Sequence, residues 1–573
     1  MEHEKGLSSA ERDQKVLNLY DRLLEIEQRL IPTGLHVFGR PSQAKQKLDL
    51  LRMVASFDRP ESGLHALPDL IGERLRLIKR GELENATRVT RERIDSIVSQ
   101  SITIFLQAGK RQAEKYLADC ANVSEKESHS WFELLEEVVT RLDSNSEMDA
   151  LMRALNGEYI QSGPGADVVQ NPAILPTGRN THAINPYSVP SVAAFARAEA
   201  VAASLLTRYC NEHGRYPRSM ALVLWGLDNI KTQGEGVAQA LWLLGVRPVR
   251  DRLNRVTTVE PIPLRDLNRP RIDIVLTVSG IFRDLFSPTV QVLDRAVRMV
   301  AQLEEPEDLN YVRAHVRQQM EEESCGYDDA ATRVFSNAPG NYGTNVNFMV
   351  MDSQWAQDET LGDLFVTRKC FAYGRDSAGR TIEGREARAA MDRALARVDA
   401  TYQNIDTIEI GITDVDHYFE YLGGVSKAVE HRAQSRPAIY LSDTLDREAK
   451  IRTLEETVRL ESRAKTLNPK WYEGMLRHGF RGVAEIENHV SNTFGWSATA
   501  DAVDDWIYSD VARTFILDKE MFDRLRALNP HSTHSMIGRL LEAHGRGFWK
   551  VDAEVIDQLQ AMIGTVEDQI EGV

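Results

Sequence analysis

The sequence predicts a multi-domain α/β protein in which a central, mostly parallel sheet region lies between helical N-terminal and C-terminal regions. Near both ends of the chain, apolar residues recur every three or four positions, which is the period of an amphipathic helix. Between these ends, short apolar runs alternate with helical patterns, as in sheets built from βαβ units. A chain of 573 residues is also too long for a single core. The expected domains are a helical domain (1–150), a loop region (151–190), an α/β domain (191–425) and a mainly helical domain (426–573).

The N-terminal region is predicted to be helical because its apolar residues form stripes. Such stripes run from Val16 to Leu30, from Arg93 to Leu106 and from Trp131 to Leu142. The composition changes at Asn156, after which Gly, Pro, Asn and Arg become frequent as far as Pro186. Loops of this length are usually functional or disordered, and this one is not low-complexity. We therefore favour a functional loop.

From Pro190 onward, predicted helices and strands alternate, which favours a mostly parallel sheet. The strands are recognised by short apolar runs, and one helix has a Ser-Pro start signal at its N-terminus. The predicted strands are Ala221–Trp225, Val256–Ile262, Ile272–Val278 and Ile405–Ile412, and the predicted helices are Ser191–Asn211, Gly236–Leu244 and Thr289–Leu303.

The composition excludes several classes of protein. The chain has 69 Lys and Arg against 85 Asp and Glu, a net charge of −16, which argues against broad binding to nucleic acid or anionic lipid. No apolar run approaches the length of a transmembrane segment, and the first residues have no apolar stretch typical of a secretory signal. Four widely spaced cysteines without a Cys-x-x-Cys pair are typical of a reducing compartment. We therefore expect a cytoplasmic location.

Polar side chains follow three of the predicted strands, directly after Trp225, Val278 and Ile412. Loops at the carboxyl ends of parallel strands converge, and ligands bind there. Each set could instead be a solvated helix cap, at about even odds when taken alone. The three sets together favour a site. In the third set, His417 and Glu420 are three residues apart, so they share a helix face and could exchange protons or hold a divalent ion.

Other motifs carry less weight. The loop Ala338–Asn347 has glycines that allow backbone to approach a ligand, but it could equally be a plain turn. His531 and His534 have a spacing seen in zinc sites, but no second ligand pair accompanies them. The sequence contains no Gly-x-x-x-x-Gly-Lys-Ser/Thr motif. If the protein uses ATP, we expect another chain to bind it.

Several segments resemble signatures of the large subunit (H) of magnesium chelatase, and the resemblance extends over nearly the whole chain. The related large subunit of cobaltochelatase shares the Pro-Thr-Gly-Arg-Asn and Asn-Pro-Lys-Trp motifs. The segments that carry the resemblance are Leu224–Glu235, Pro176–Ala183, Val278–Phe286, Asn468–Met475 and Phe494–Thr499.

The resemblance implies a subunit that binds protoporphyrin IX and receives Mg²⁺ as a substrate, in the first committed step towards chlorophyll or bacteriochlorophyll. It also implies two partner subunits of the AAA+ type, I and D, which bind and hydrolyse ATP. The family's large subunit is about twice as long as this chain, which resembles its C-terminal half. A separate N-terminal half is therefore a further candidate partner. The sequence departs from the family pattern at Ala166 and at Glu420, where glycine and aspartate are usual.

The base, the metal ligands and the porphyrin contacts that this reaction needs can be assigned to residues of the strand-end loops, of the 151–190 loop and of the C-terminal region. Pyrrole protons must be removed by a base, for which His417 is the first choice and His182 the second. Mg²⁺ prefers oxygen ligands. The flat face of the macrocycle packs best against an aromatic surface, and its propionates pair with cationic side chains. The expected catalytic residues are His417, Glu420, His182 and Glu235; the metal-binding residues are Asp228 and Asp414; the porphyrin-binding residues are Arg179, Asn180, Trp225, Lys231, Arg283 and Trp496, with Phe282 as a further aromatic candidate.

Two alternatives stay open from the sequence. The chain could be a large-subunit homologue of cobaltochelatase that inserts Co²⁺ into a corrin precursor. It could also be a half-length, non-catalytic protein that binds porphyrin or a partner subunit as a carrier or regulator.

Overall fold

The computed structural model describes most of the chain. Described residues are 15–16, 19–20, 23, 25–26, 29, 31, 34–59, 62–83, 86–165, 167–169, 171–182, 184–322, 324–357, 359–407, 409–444 and 449–572. Leu30 and Ala166, named above, lie outside this part of the chain. The chain forms two compact units: Met1–Leu30 with His36–Ala183, and Ile31–Leu35 with Ile184–Val573. The finer division into four domains stays a prediction.

Unit 1 is helical around a core of its own. Its helices begin at good caps where the sequence offers them: Thr87 accepts a hydrogen bond from Thr90 N, and Ser124 and Glu127 form a capping box. Trp131 and Phe132 are buried in the core. The elements are α1 (Ala44–Ala55), α2 (Leu67–Arg74), α3 (Arg88–Ala108), α4 (Lys110–Ala121), α5 (Glu125–Asp143), α6 (Glu147–Leu155) and two short parallel strands, β1 (Ser162–Pro164) and β2 (Asn180–His182).

Unit 2 is built on a sheet that has eight strands within the described residues, and helices pack against both of its faces. Among the helices are α7 (Val192–His213), α8 (Gly226–Lys231), α9 (Glu235–Leu244), α10 (Leu264–Leu267), α11 (Gly280–Leu285), α12 (Ser287–Gln302), α13 (Tyr311–Glu322) and α14 (Tyr327–Ala330). The sheet strands are β3 (Ser219–Leu224), β6 (Asp273–Val278), β7 (Val334–Ser336), β8 (Phe371–Arg375), β9 (Thr381–Glu386), β10 (Ala400–Ile405), β11 (Ala438–Asp443) and β12 (Lys450–Thr453), and a separate antiparallel hairpin consists of β4 (Val246–Arg250) and β5 (Val256–Pro261).

The rest of unit 2 is mainly helical. Three π-helical segments interrupt its helices, at Phe419–Gly423, Ser462–Thr466 and Ala512–Leu517. The helices are α15 (Val346–Met351), α16 (Glu359–Lys369), α17 (Arg388–Leu395), α18 (Asp416–Tyr418), α19 (Gly424–Ala433), α20 (Leu454–Glu461), α21 (Pro469–Leu476), α22 (Phe480–Ala500), α23 (Asp505–Val511), α24 (Lys519–Leu528), α25 (Pro530–Gly545) and α26 (Ala553–Glu571). None of the helices that the structure describes combines the length and the apolar character needed to cross a membrane.

The order of the strands confirms the predicted α/β class and locates a point where the order of the strands reverses. The order across the sheet is β12-β11-β10-β3-β6-β7-β8-β9, with a parallel centre from β11 to β7 and antiparallel edges. From β3 the chain builds the sheet in one direction through β6 and β7, and later returns to place β10 on the other side of β3. The order of the strands therefore reverses between β3 and β10, and such a point opens a crevice at the carboxyl ends of the strands.

Two of the predicted strands differ from the structure. Val256–Ile262 forms a strand, but in the separate hairpin rather than in the main sheet. The strand predicted at Ile405–Ile412 is wrong, because β10 ends at Ile405. The physical reason lies in the backbone hydrogen bonds of the later residues: Ile412 N and Thr413 N both donate to the Glu461 carboxylate, each at 3.0 Å. These N–H groups are satisfied by a buried side chain and not by a neighbouring strand.

Candidate functional site

The crevice between the carboxyl ends of β3 and β10 contains three buried carboxylates, those of Asp228, Glu235 and Asp406. Asp228 lies on α8 and Glu235 begins α9, both directly after β3, whereas Asp406 directly follows β10. Lys231 Nζ lies 3.1 Å from Asp406 Oδ2, and Arg197 Nε lies 3.4 Å from Glu235 Oε1. The positive charges of Lys231 and Arg197 therefore offset part of the negative charge of the three carboxylates.

Burial raises the pKa of two of these acids, Asp228 and Glu235. The pKa of Asp228 is raised well above its usual value by burial and by the nearby charges of Asp406 and Glu235. Burial raises the pKa of Glu235 to about 7, although the Arg197 guanidinium opposes the shift. Asp228 Oδ1 is buried and has no hydrogen-bond partner within the described ranges. Glu235 is thus poised to take up or release a proton near neutral pH.

Aromatic side chains line the same crevice. Trp225, which follows β3, is half-buried, and its Nε1 donates to Gln403 Oε1 at 3.2 Å. Its ring meets the Tyr418 ring edge-on at 5.7 Å between centroids and lies 4.6 Å from the Tyr421 ring. Burial and the charges of Asp406 and Asp228 raise the pKa of Tyr418 well above its usual value. Trp225 therefore connects the carboxylates to the helical segment that begins at Asp416.

His417 and Glu420 form a fixed pair at the start of that segment. Glu420 is fully buried, and its Oε1 accepts hydrogen bonds from Thr344 N, Thr344 Oγ1 (2.9 Å) and Asn345 N (3.0 Å). Its Oε2 lies 2.7 Å from His417 Nδ1, and the His417 side chain is 59% exposed. The hydrogen bond to Glu420 raises the pKa of His417, against the effect of burial. A buried carboxylate that orients an exposed imidazole is an arrangement suited to general-base chemistry.

Asp414 takes part in a different network. It pairs with the Lys465 ammonium, and its Oδ1 lies 3.1 Å from His489 Nε2. Although burial opposes ionisation, these two cationic groups hold the pKa of Asp414 well below its usual range. Its carboxylate is therefore held by these two ion pairs within the fold.

Arg179, Asn180 and His182 belong to unit 1 and are described with it. The Arg179 guanidinium donates to the backbone oxygens of Ile174 (2.6 Å), Leu175 (3.0 Å) and Pro176 (3.1 Å), so it braces its own loop. Asn180 is exposed and begins β2. His182 ends β2, and its side chain lies outside the described part.

Three further predicted residues have structural contacts: Arg283, Trp496 and Phe282. Arg283 Nη1 donates to three backbone oxygens of the loop after β7, at 2.9–3.1 Å, and its other nitrogens pair with Asp284. Trp496 and Phe282 are completely buried, and Trp496 Nε1 donates to Ile412 O at 2.9 Å. Neither ring has a face open to a planar ligand, so we do not retain these three residues as ligand contacts.

Of the residues predicted from sequence, the structure brings together Trp225, Asp228, Lys231 and Glu235 at the crevice, with His417 and Glu420 nearby. Sequence reasoning missed Asp406. Because β10 contains Thr401, Gln403 and Asn404, it does not appear as an apolar run. The sequence pattern instead places a strand at Ile405–Ile412, and Asp406 falls inside that predicted strand rather than after its end. Within the described residues, no group of three or more His, Cys, Asp or Glu side chains is arranged to hold a metal ion. The roles of Asp228 and Asp414 as metal ligands therefore stay predictions.

Comparisons with known proteins give a consistent result. A family model described as CobN/Magnesium Chelatase matches residues 1–556. The chain is 41% identical to the chloroplastic magnesium-chelatase subunit ChlH of rice (Oryza sativa subsp. indica), over 98% of this chain and 43% of the rice protein. It is 39% identical to a magnesium-chelatase subunit of Cereibacter sphaeroides, over 92% of this chain and 43% of that protein.

A solved structure, the catalytic subunit of cobaltochelatase from Mycobacterium tuberculosis, matches with a TM-score of 0.91 and 34% identity, over 98% of this chain and 47% of that one. This chain therefore spans slightly less than half the length of each of these relatives.

Proposed function

Because the chain belongs to the CobN/magnesium chelatase family, we propose that it is the porphyrin-binding part of a magnesium chelatase. In this role it takes part in the insertion of Mg²⁺ into protoporphyrin IX, on the way to chlorophyll or bacteriochlorophyll. The observation that best supports the proposal is the crevice between β3 and β10, where three buried carboxylates lie beside an aromatic side chain and an oriented histidine.

The proposed chemistry follows from what the reaction requires. Two pyrrole protons leave the macrocycle as Mg²⁺ enters, so the site needs groups that accept protons near neutral pH. His417, held by Glu420, and Glu235, whose pKa is about 7, are suited to this task. Mg²⁺ binds oxygen ligands and gives up its waters reluctantly. The unpaired Asp228 Oδ1 is the first carboxylate oxygen we expect the ion to meet.

We also propose that the chain works with partners. Since its sequence has no P-loop, we assign ATP binding and hydrolysis to the AAA+ subunits I and D. A polypeptide corresponding to the remaining length of the relatives is a further proposed partner. The cytoplasmic location expected from the cysteines is part of the same proposal, and the four cysteines are free thiols in the structure.

A reconstitution assay tests the proposal. The purified chain is mixed with subunits I and D, ATP, Mg²⁺ and protoporphyrin IX, and the fluorescence of Mg-protoporphyrin is followed over time. The assay is run with and without a polypeptide that supplies the other half of the rice relative. We expect insertion that depends on the chain in at least one of these mixtures. Porphyrin binding without insertion in either mixture would favour the non-catalytic alternative.

The second candidate is a cobaltochelatase subunit, which the match to the Mycobacterium tuberculosis structure favours. The two candidates differ in the metal and the macrocycle. The same mixture is therefore supplied in parallel with Co²⁺ and a corrin precursor. Insertion of Co²⁺ but not Mg²⁺ would replace the first candidate by the second.

A further inference from the structure

An exposed apolar surface lies at the carboxyl ends of β3 and β6, next to the crevice. It consists of Leu227 on α8, Ile281 and Leu285 on α11, and Tyr342 in the loop after β7; we call these four residues the ledge. Leu227 is 55% exposed, Ile281 42% and Tyr342 51%. Exposed apolar groups that cluster beside a polar site mark binding surfaces more often than isolated ones do.

Two glycines bring the parts of the ledge into contact. A Cβ on Gly226 would lie 2.6 Å from Ile281 Cγ2, so the absence of a side chain there lets α8 pack directly against α11. A Cβ on Gly280 would lie 2.5 Å from Tyr342 Cδ1, so the tyrosine ring rests on the start of α11. Ile281 therefore lies against Gly226 at the start of α8, directly before Leu227 in the chain, and Tyr342 lies against the start of α11.

The ledge is held rigid. Tyr342 Oη donates to Asp284 Oδ2 at 2.8 Å, and the Arg283 guanidinium lies 5.4 Å from the centre of its ring. Arg283 in turn donates to the backbone oxygen of Asn341 at 3.0 Å. A preformed surface binds a rigid ligand without the entropic cost of ordering loops.

The ledge is continuous with the proposed base. The loop that contributes Tyr342 continues through Thr344 and Asn345, whose N–H groups donate to Glu420, and Glu420 holds His417. Tyr421 also donates its hydroxyl hydrogen to Tyr342 O and packs against Trp225. One short loop thus connects the apolar surface to both the imidazole and the crevice.

We infer that the ledge is the surface on which the face of a planar tetrapyrrole rests, with Leu227, Ile281 and Tyr342 as its contacts. The inference rests on the proposed function. A flat aromatic macrocycle fits a rigid apolar surface, and here its edge would lie towards His417 and the crevice carboxylates. A protein helix would need no such base beside it, so we favour the small planar ligand as the occupant.

Binding of protoporphyrin IX to surface variants tests the inference. Leu227→Gln and Ile281→Gln remove apolar contact from exposed positions, and Leu253→Gln, in the β4–β5 turn, is a matched control because Leu253 is 71% exposed. The 573-residue chain is titrated with protoporphyrin IX, and quenching of tryptophan fluorescence is measured. We expect each ledge variant to weaken binding about tenfold and the control to bind like the wild type.

Thiol protection gives a second readout that does not depend on weakened binding. In Ile281→Cys, protoporphyrin IX should slow alkylation of the new thiol by about tenfold or more, whereas in Leu253→Cys it should not. If the wild type binds porphyrin but the ledge variants bind equally well and Ile281→Cys is not protected, the ledge is not the site and the proposed function stands. If the chain binds porphyrin only together with the polypeptide that supplies the other half of the rice relative, the variants are compared in that mixture. If the wild type binds porphyrin neither alone nor in that mixture, both the ledge and the proposed function are wrong.

Discussion

Glu235 shows how burial turns an ordinary carboxyl group into a group that titrates near neutral pH. The residue is almost completely excluded from water, and the nearby Arg197 guanidinium offsets only part of the cost of ionisation. A carboxyl group with such a pKa is protonated in the folded protein at pH values where the unfolded chain has lost the proton. Its ionisation therefore works against folding.

The substitution Glu235→Gln should stabilise the protein at high pH. The wild-type carboxyl keeps its full contribution below about pH 4.5 and loses it as the pH rises through about 7, whereas glutamine is neutral throughout. The pKa difference corresponds to about 3 kcal/mol in the free energy of unfolding above pH 8. Urea unfolding at pH 5 and pH 8 measures it. Glu199→Gln, at an exposed position of α7, is the control, and an equal effect at both pH values would contradict the prediction.

A second prediction at the residue scale concerns how the rate of metal insertion depends on His417 and Glu420. Because Glu420 raises the pKa of His417, Glu420→Gln should shift the acid limb of the metal-insertion rate to lower pH. His417→Ala should lower the rate by about 10²-fold or more at all pH values. The measurement is the pH profile of insertion in the reconstituted system. Full activity of His417→Ala would remove this residue from the mechanism.

At the scale of elements, β3 and β6 were predictable, whereas β7, β10, β11 and the connections between the strands were not. The buried strands β3 and β6 appear as continuous apolar runs, so the sequence predicts them within two residues. No helix is predicted between the strand Ala221–Trp225 and the helix Gly236–Leu244, but the structure forms α8 there. Asn229 explains this, since its side chain donates to Trp225 O at 2.7 Å and accepts from Val237 N at 3.2 Å. Such a tertiary bridge leaves no periodic pattern in the sequence.

The close approach of α22 to the end of α21 predicts how a substitution at Gly482 changes stability. A Cβ on Gly482 would lie 1.8 Å from the backbone oxygen of Met475, an atom that cannot move aside. Gly482→Ala should therefore destabilise the protein by about 2 kcal/mol or more. Gly538→Ala, inside α25 with nothing near its Cβ position, should be neutral or stabilising by up to about 1 kcal/mol. Thermal unfolding of both variants is the measurement, and similar melting temperatures would contradict the prediction.

At the scale of the whole molecule, the two units have separate hydrophobic cores. The core around Phe132 contains residues of unit 1 alone, and the cores on the two faces of the large sheet contain residues of unit 2 alone. The helical character of unit 1 and the α/β class of unit 2 could be predicted from periodicity. The position of β10 beside β3 could not, because the pairing of distant strands is not encoded in local patterns.

Separate cores predict separate unfolding transitions. Phe132→Leu creates a cavity in the core of unit 1, and Phe515→Leu creates one in the core of unit 2; both phenylalanines are fully buried. In differential scanning calorimetry we expect more than one transition, with each substitution lowering the midpoint of a different one. A single transition that both variants shift equally would contradict this prediction.

The reversal of strand order at β3 also determines when the crevice can exist during synthesis of the chain. Leu222 in β3 pairs with Tyr402 in β10, and Asp406 reaches the crevice only when this pairing has formed. A nascent chain that has not yet reached β10 exposes one edge of β3, an apolar strand with unpaired backbone groups that invites aggregation. The crevice is therefore assembled late, and chaperone dependence should be greatest for chains interrupted between β9 and β10.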